Sequence, residues 1–139
     1  YKLQDGDILI ARIGASTGKN FLVKNPPKAI FASYLIRIKT KSDLNPEFLN
    51  YYFQTDYYWQ EINQQKGGRL KAGINVPILQ NLTIPLLSFS EQREIVEVLQ
   101  TIDKKIEIEQ KKRALYEELF KTMLNKLMKG EIKVDNLRI

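Results

Sequence analysis

The chain has 139 residues, enough for one small core and an appendage rather than two full domains. It contains neither cysteine nor histidine, which excludes disulfides, thiolate nucleophiles, Cys/His zinc sites and any histidine-centred catalytic triad. The formal charge of +6 is uneven: residues 1–88 hold 11 Lys/Arg against 6 Asp/Glu, and residues 89–139 hold 11 against 10. An excess of five positive charges on so small a head suits a polyanion such as nucleic acid, though a solvated basic surface accounts for the charge as well. No apolar run approaches the roughly 18 residues of a membrane span, and "YKLQDGDILI" lacks a signal-peptide layout. The expectation is a cytoplasmic protein with no membrane attachment. The opening on Tyr1 rather than Met suggests a piece of something longer.

Taken in chain order, Asp5-Gly6-Asp7 reads as a turn, and Ile8, Leu9, Ile10 and Ile13 as a short strand ending at Gly14. "GASTGKN" (14–20) reads as a loop, "FLV" as a second strand, and "KNPPK" as a stiff connection whose prolines keep it out of a sheet centre. "AIFASYLIRIK" (29–39) predicts a longer strand with Tyr34, Ile36 and Ile38 on one face. Asn45-Pro46 predicts a helix start, with the Asn side chain as cap and Pro at the first helical position. Phe48, Leu49, Tyr52 and Phe53 share one face of that helix. "TDYYWQEINQQ" predicts a second helix capped by Thr55 or Asp56. "KGGRLKAGIN" (66–75) is a glycine-rich basic loop, and "LTIPLL" (82–87) is expected to close the sheet.

Ser88 followed three residues later by Glu91 is a capping box, so a helix is expected to begin where that strand ends. No Pro or Gly occurs from Phe89 to Lys129, and Gly130 is the natural stop. Within this stretch Ile95, Leu99, Ile102, Ile106, Glu109, Arg113, Tyr116, Phe120, Met123 and Leu127 alternate in steps of four and three, the seam of a coiled coil. The polar pair Glu109 and Arg113 interrupts the stripe halfway, at a cost in stability but with a gain in register and partner choice. A helix doubled back near "IEQKKR" is the alternative.

"GASTGKN" imitates a phosphate-binding loop without fulfilling it. Only three residues separate Gly14 from Gly18, Asn20 stands where a Ser or Thr would reach magnesium, and the next residues read as strand rather than helix. A tight turn presenting Arg12 and Lys19 fits better, whether toward a ligand or toward solvent. The basic loop is the stronger candidate. Gly67, Gly68 and Gly73 permit close backbone approach, Lys66, Arg69 and Lys71 offer charge to phosphates, and Arg69 or Asn75 can pair with base edges. An ordinary hairpin loop carries the same composition. The aromatics from Phe48 to Trp59 can stack on bases, but their helical spacing favours core packing. The carboxylates form no catalytic constellation, so a binding protein is expected rather than an enzyme, with no cofactor or metal of its own.

Four stretches, "DGDILIARIGASTGK", "LNPEFLNYYFQ", "GINVPILQNLTIPLLSFSEQREIVEVLQTID" and "LFKTMLNKLMKGEI", resemble the specificity (S) subunits of type I restriction-modification enzymes. The join from "LTIP" through "EQREIVEVL" is the most specific. The family usually has prolines just before the Glu-Gln pair, where this chain has "LLSFS", and family recognition domains carry a further segment ahead of "GDIL". The chain is therefore expected to be either a C-terminal piece of an S subunit or a half-subunit.

The resemblance implies an α+β fold: a small mixed domain followed by a long C-terminal helix forming an antiparallel coiled coil. Residues 1–88 would be part of a target-recognition domain, 89–130 a spacer and dimerisation helix, and 131–139 a tail. On the reading of the two loops, Arg12, Lys19, Lys66, Gly68, Arg69, Lys71 and Asn75 are expected near double-stranded DNA. Ile95, Leu99, Ile102, Ile106, Tyr116, Phe120, Met123 and Leu127 would meet a second helix, a second copy of the chain or methyltransferase (M) subunits. S-adenosylmethionine, ATP and magnesium would belong to the M and restriction (R) subunits, the latter an indirect partner. Two other readings stay open: an assembly module that does not touch DNA, and the specificity portion of a fused restriction enzyme.

Overall fold

The computed structural model describes residues 2–65 and 73–136. They form two compact units, Tyr1–Glu97 and Val98–Ile139. The first contains a three-stranded antiparallel sheet of order β2-β1-β3, built from β1 (Ile8–Ala11), β2 (Asn20–Leu22) and β3 (Leu35–Ile38). Ile8 and Ile10 of the central strand are fully buried and, with Leu49, Tyr52, Phe53, Tyr58, Ile62 and Ile74, make the core. Burying each such side chain contributes about 1.5–3 kcal/mol.

The helices of this unit start where the sequence places their caps. In α1 (Pro46–Tyr52) the Asn45 side chain accepts from the backbone N–H groups of Glu47 and Phe48, at 2.8 and 3.4 Å. In α2 (Asp56–Gln65) it is Thr55 that caps, its hydroxyl accepting from Tyr58 N at 3.3 Å. A short α3 (Val76–Gln80) follows, in which Asn75 Oδ1 accepts from Ile78 N at 3.0 Å and Pro77 lies in the first turn.

Two strand expectations are corrected. Of residues 29–39 only Leu35–Ile38 join the sheet, and Ile30 makes a single bridge to Lys2. A turn closed by Leu35 N donating to Ala32 O separates the two parts and leaves Tyr34 exposed. Residues 82–87 form no ladder with the described strands. Pro85 lacks an N–H to give, and side chains satisfy Thr83: its N–H donates to Glu61 (3.2 Å) and its carbonyl accepts from the Tyr52 hydroxyl (2.9 Å).

The last helix, α4, runs unbroken from Phe89 to Met128, 40 residues and about 60 Å. No turn occurs near "IEQKKR". The capping box is formed, with Ser88 N donating to Glu91 at 2.9 Å and Glu91 N to Ser88 Oγ at 3.3 Å. The Ser88 hydroxyl donating to Glu91 Oε2 (2.6 Å), joined by the Ser88 N–H, holds the Glu91 carboxyl below its ordinary range. At the far end Gly130, with φ +72°, donates to Leu127 O, and Glu131 donates to Lys126 O. That pair of bonds is the Schellman motif, which satisfies otherwise orphaned carbonyls.

The opening turns of α4 belong to the first unit and carry a fully buried amide side chain, that of Gln92. Gln92 Oε1 accepts from Asn45 N (2.8 Å), while its Nε2 donates to the carbonyls of Asp43 (3.0 Å) and Leu87 (2.9 Å). One side chain thus ties the α1 cap, the loop before it and the segment entering α4.

Candidate nucleic-acid interface and helix seam

The loop after β1 is held from beneath by α2. Gly14 and Gly18 have φ of +88° and +91°, backbone states that side-chain-bearing residues rarely adopt. The loop closes on itself through Gly18 N to Ala11 O (2.9 Å), Lys19 N to Ser16 O (2.9 Å) and Thr17 N to Gly14 O (3.1 Å). Below it the buried Tyr58 hydroxyl donates to Gly18 O at 2.7 Å. The Trp59 ring lies so close to Gly18 that a Cβ there would sit 2.8 Å from the indole. Burial raises the Tyr58 phenol well above its ordinary value and keeps it a neutral donor. The loop is followed by the strand β2 rather than by a helix.

Arg12 is the knot of this surface. Its N–H donates to Tyr34 O (2.9 Å), its guanidinium to Ser33 O (3.3 Å), and its carbonyl accepts from Ile74 N (2.8 Å). Gly73 is required here, because a Cβ would come within 2.9 Å of Arg12 O. The chain therefore leaves the end of α2 at Gln65 and re-enters the described structure against Arg12, with Asn75 next in line as the α3 cap. Arg12 and Lys19 are exposed. Lys66, Gly68, Arg69 and Lys71 lie outside the described residues. The Asn75 side-chain oxygen is engaged by Ile78 N, which leaves its amide hydrogens as the group it can offer.

Helical spacing points Tyr58 and Trp59 to the core, which is where Tyr58 lies, yet both also shape the loop carrying Arg12 and Lys19, and no local pattern marks Gln92. Tyr57, by contrast, is exposed. Among the described residues no group of Asp or Glu side chains is arranged to hold a metal ion, and no helix is long and apolar enough to cross a membrane.

Along α4 the seam residues Ile95, Ile102, Ile106, Tyr116 and Phe120 are exposed, and Leu99, Met123 and Leu127 half-buried. Val98, Ile108, Leu115, Leu119 and Leu124 widen the apolar surface. At the interruption the charges pair along the helix: Lys111 with Glu107 (2.6 Å), Lys112 with Glu109 (3.8 Å) and Arg113 with Glu117 (2.9 Å). The bond from Lys111 holds the Glu107 carboxyl below its usual range.

The family model described as "Type I restriction modification DNA specificity domain" matches residues 1–118. The type I restriction enzyme MjaVIII specificity subunit of Methanocaldococcus jannaschii is 32% identical over 140 residues, covering 97% of this chain and 33% of that protein. The putative type I restriction enzyme MjaX specificity subunit of the same organism is 30% identical over 132 residues, covering 95% and 30%. The chain spans about a third of the length of these curated relatives.

Proposed function

Because this chain belongs to the type I restriction modification DNA specificity domain family, we propose that it is a non-catalytic recognition module: its head reads part of a split duplex DNA target, and α4 docks a second helix and methyltransferase subunits. The observation that carries the reading is the Arg12 knot. Two exposed cations, Arg12 and Lys19, stand on a loop fixed by Tyr58 and Trp59, beside the point where the chain returns from its basic segment 66–72. Cations on a rigid support engage phosphates at little ordering cost, and neighbouring polar groups are then positioned to read base edges. Lys66, Arg69 and Lys71, in the sequence between α2 and α3, add three cations to that segment. Retardation of duplex DNA at low salt, strengthened by an M subunit, is the expected result. Its absence under both conditions refutes the reading.

The α4 surface favours assembly as the chain's other task. An exposed stripe of Ile, Leu, Tyr and Phe of this length needs cover. Antiparallel pairing with a second copy suits the spacing. The steps of four and three read the same in both directions about Lys111, so Ile95 would face Leu127, Leu99 Met123, Ile102 Phe120, Ile106 Tyr116, and each Glu109 the Arg113 of its mate. Arg69→Glu with Lys71→Glu separates the two tasks. DNA affinity should fall while self-association stays unchanged, whereas a pure assembly module would show no DNA affinity to lose.

A further inference from the structure

A groove of about 660 Å³ runs along β3 in the first unit. Its walls are two extended stretches, Ile36 and Ile38 on one side and Leu82, Ile84 and Leu86 on the other, and the buried Leu49 also lines it. Both walls have unspent backbone hydrogen-bonding capacity. Arg12 N donates to Tyr34 O, and alternation from that bond makes Ile36 and Ile38 the residues bonded to β1 and turns the Arg37 N–H and C=O to the outer edge. Across the groove, the N–H and C=O of Thr83 are taken by Glu61 and Tyr52, so those of Ile84 face the opposite side. Among the described residues the Ile84 backbone has no hydrogen-bond partner. A free strand edge, an unladdered extended segment and an apolar lining between them are the requirements for adding a strand.

We propose that this groove accepts one extended strand from a partner polypeptide, with apolar side chains at alternate positions and carboxylates between them. Charge selects the occupant. Lys41 and Lys39, whose ammonium donates to the Gln4 side-chain oxygen, are exposed at the groove, and among its described lining residues Asp43 alone is acidic, so the rim is net positive. A second copy joined antiparallel, β3 to β3 about the outward-bonding Arg37, would set Arg37 against Arg37, which disfavours self-pairing. The proposal is independent of DNA binding.

The test uses the full 139-residue chain and three blocked heptapeptides: one alternating glutamate with valine, its lysine counterpart, and the glutamate peptide N-methylated at alternate residues. The glutamate peptide should bind saturably, slow amide hydrogen exchange at Arg37 and Ile84, and outcompete the other two by about tenfold or more. Lys39→Glu with Lys41→Glu, both exposed and so tolerated by the fold, should reverse the preference to the lysine peptide. Absence of saturable binding at millimolar peptide, unchanged exchange at Arg37 and Ile84, or a preference indifferent to the charge reversal overturns the proposal.

Discussion

Replacing Gln92 by Leu removes a side chain of similar volume from a fully buried site and deletes three hydrogen bonds of 2.8–3.0 Å. Each bond contributes about 1 kcal/mol net, and each orphaned partner, Asn45 N, Asp43 O and Leu87 O, pays about 1–3 kcal/mol if it stays buried. The apolar replacement recovers part of this, so the expected loss is about 3–5 kcal/mol, a large share of the 5–15 kcal/mol typical of a domain. Urea unfolding followed by far-ultraviolet circular dichroism measures it. Gln92→Glu adds a sign test. The new carboxyl faces two carbonyls and can donate to one only when protonated, so its folded-state pKa must be raised. Stability of that variant relative to wild type should be highest in acid, below about pH 4, and fall as pH rises through the raised value. A loss below about 1 kcal/mol for Gln92→Leu, or a pH-independent deficit for Gln92→Glu, would refute the assigned role.

Three further outcomes follow from the same geometry. Gly14 and Gly18 share a positive φ, but only Gly18 abuts Trp59, so Gly14→Ala should cost about 1–2 kcal/mol from backbone strain and Gly18→Ala measurably more in the same unfolding assay. Tyr58→Phe should cost about 1 kcal/mol at neutral pH. Because burial raises the native phenol's pKa, wild type should lose this advantage progressively above pH 10, where the unfolded phenol ionises first, and thermal melts from pH 7 to 11 test the convergence. On α4, Glu109→Arg should weaken self-association by setting four cations together at the centre of an antiparallel pair, and Glu109→Arg with Arg113→Glu should restore it; sedimentation equilibrium that finds the double variant no better than the single discards that register.

Local signals in the sequence proved reliable. Asn45-Pro46, Ser88 with Glu91, and Gly130 each act within one helical turn, and each is found doing so. The 40-residue helix was equally legible, because its length follows from the absence of breakers. What failed depended on distant partners. Residues 82–87 have the composition of a strand, yet Glu61 and Tyr52 take the Thr83 backbone groups that a neighbouring strand would otherwise satisfy. Residues 29–34 are set aside by a turn whose only sequence trace is Ala32-Ser33. Gln92 looks like any polar residue in a first helical turn, and only the folded chain brings Asp43 and Asn45 to it. For the candidate interface, Arg12 and Lys19 could be picked out by charge, but the Trp59 contact that makes Gly18 necessary spans 41 residues and leaves no local pattern.

Whether the loop after β1 meets DNA phosphates is tested most directly by the salt dependence of duplex binding for the chain and for Arg12→Glu with Lys19→Glu. Each lost phosphate contact lowers the slope of log affinity against log salt by about 0.9, so the double variant should show a slope shallower by about 1.8, with unchanged self-association. An identical slope and affinity in the two proteins would contradict it.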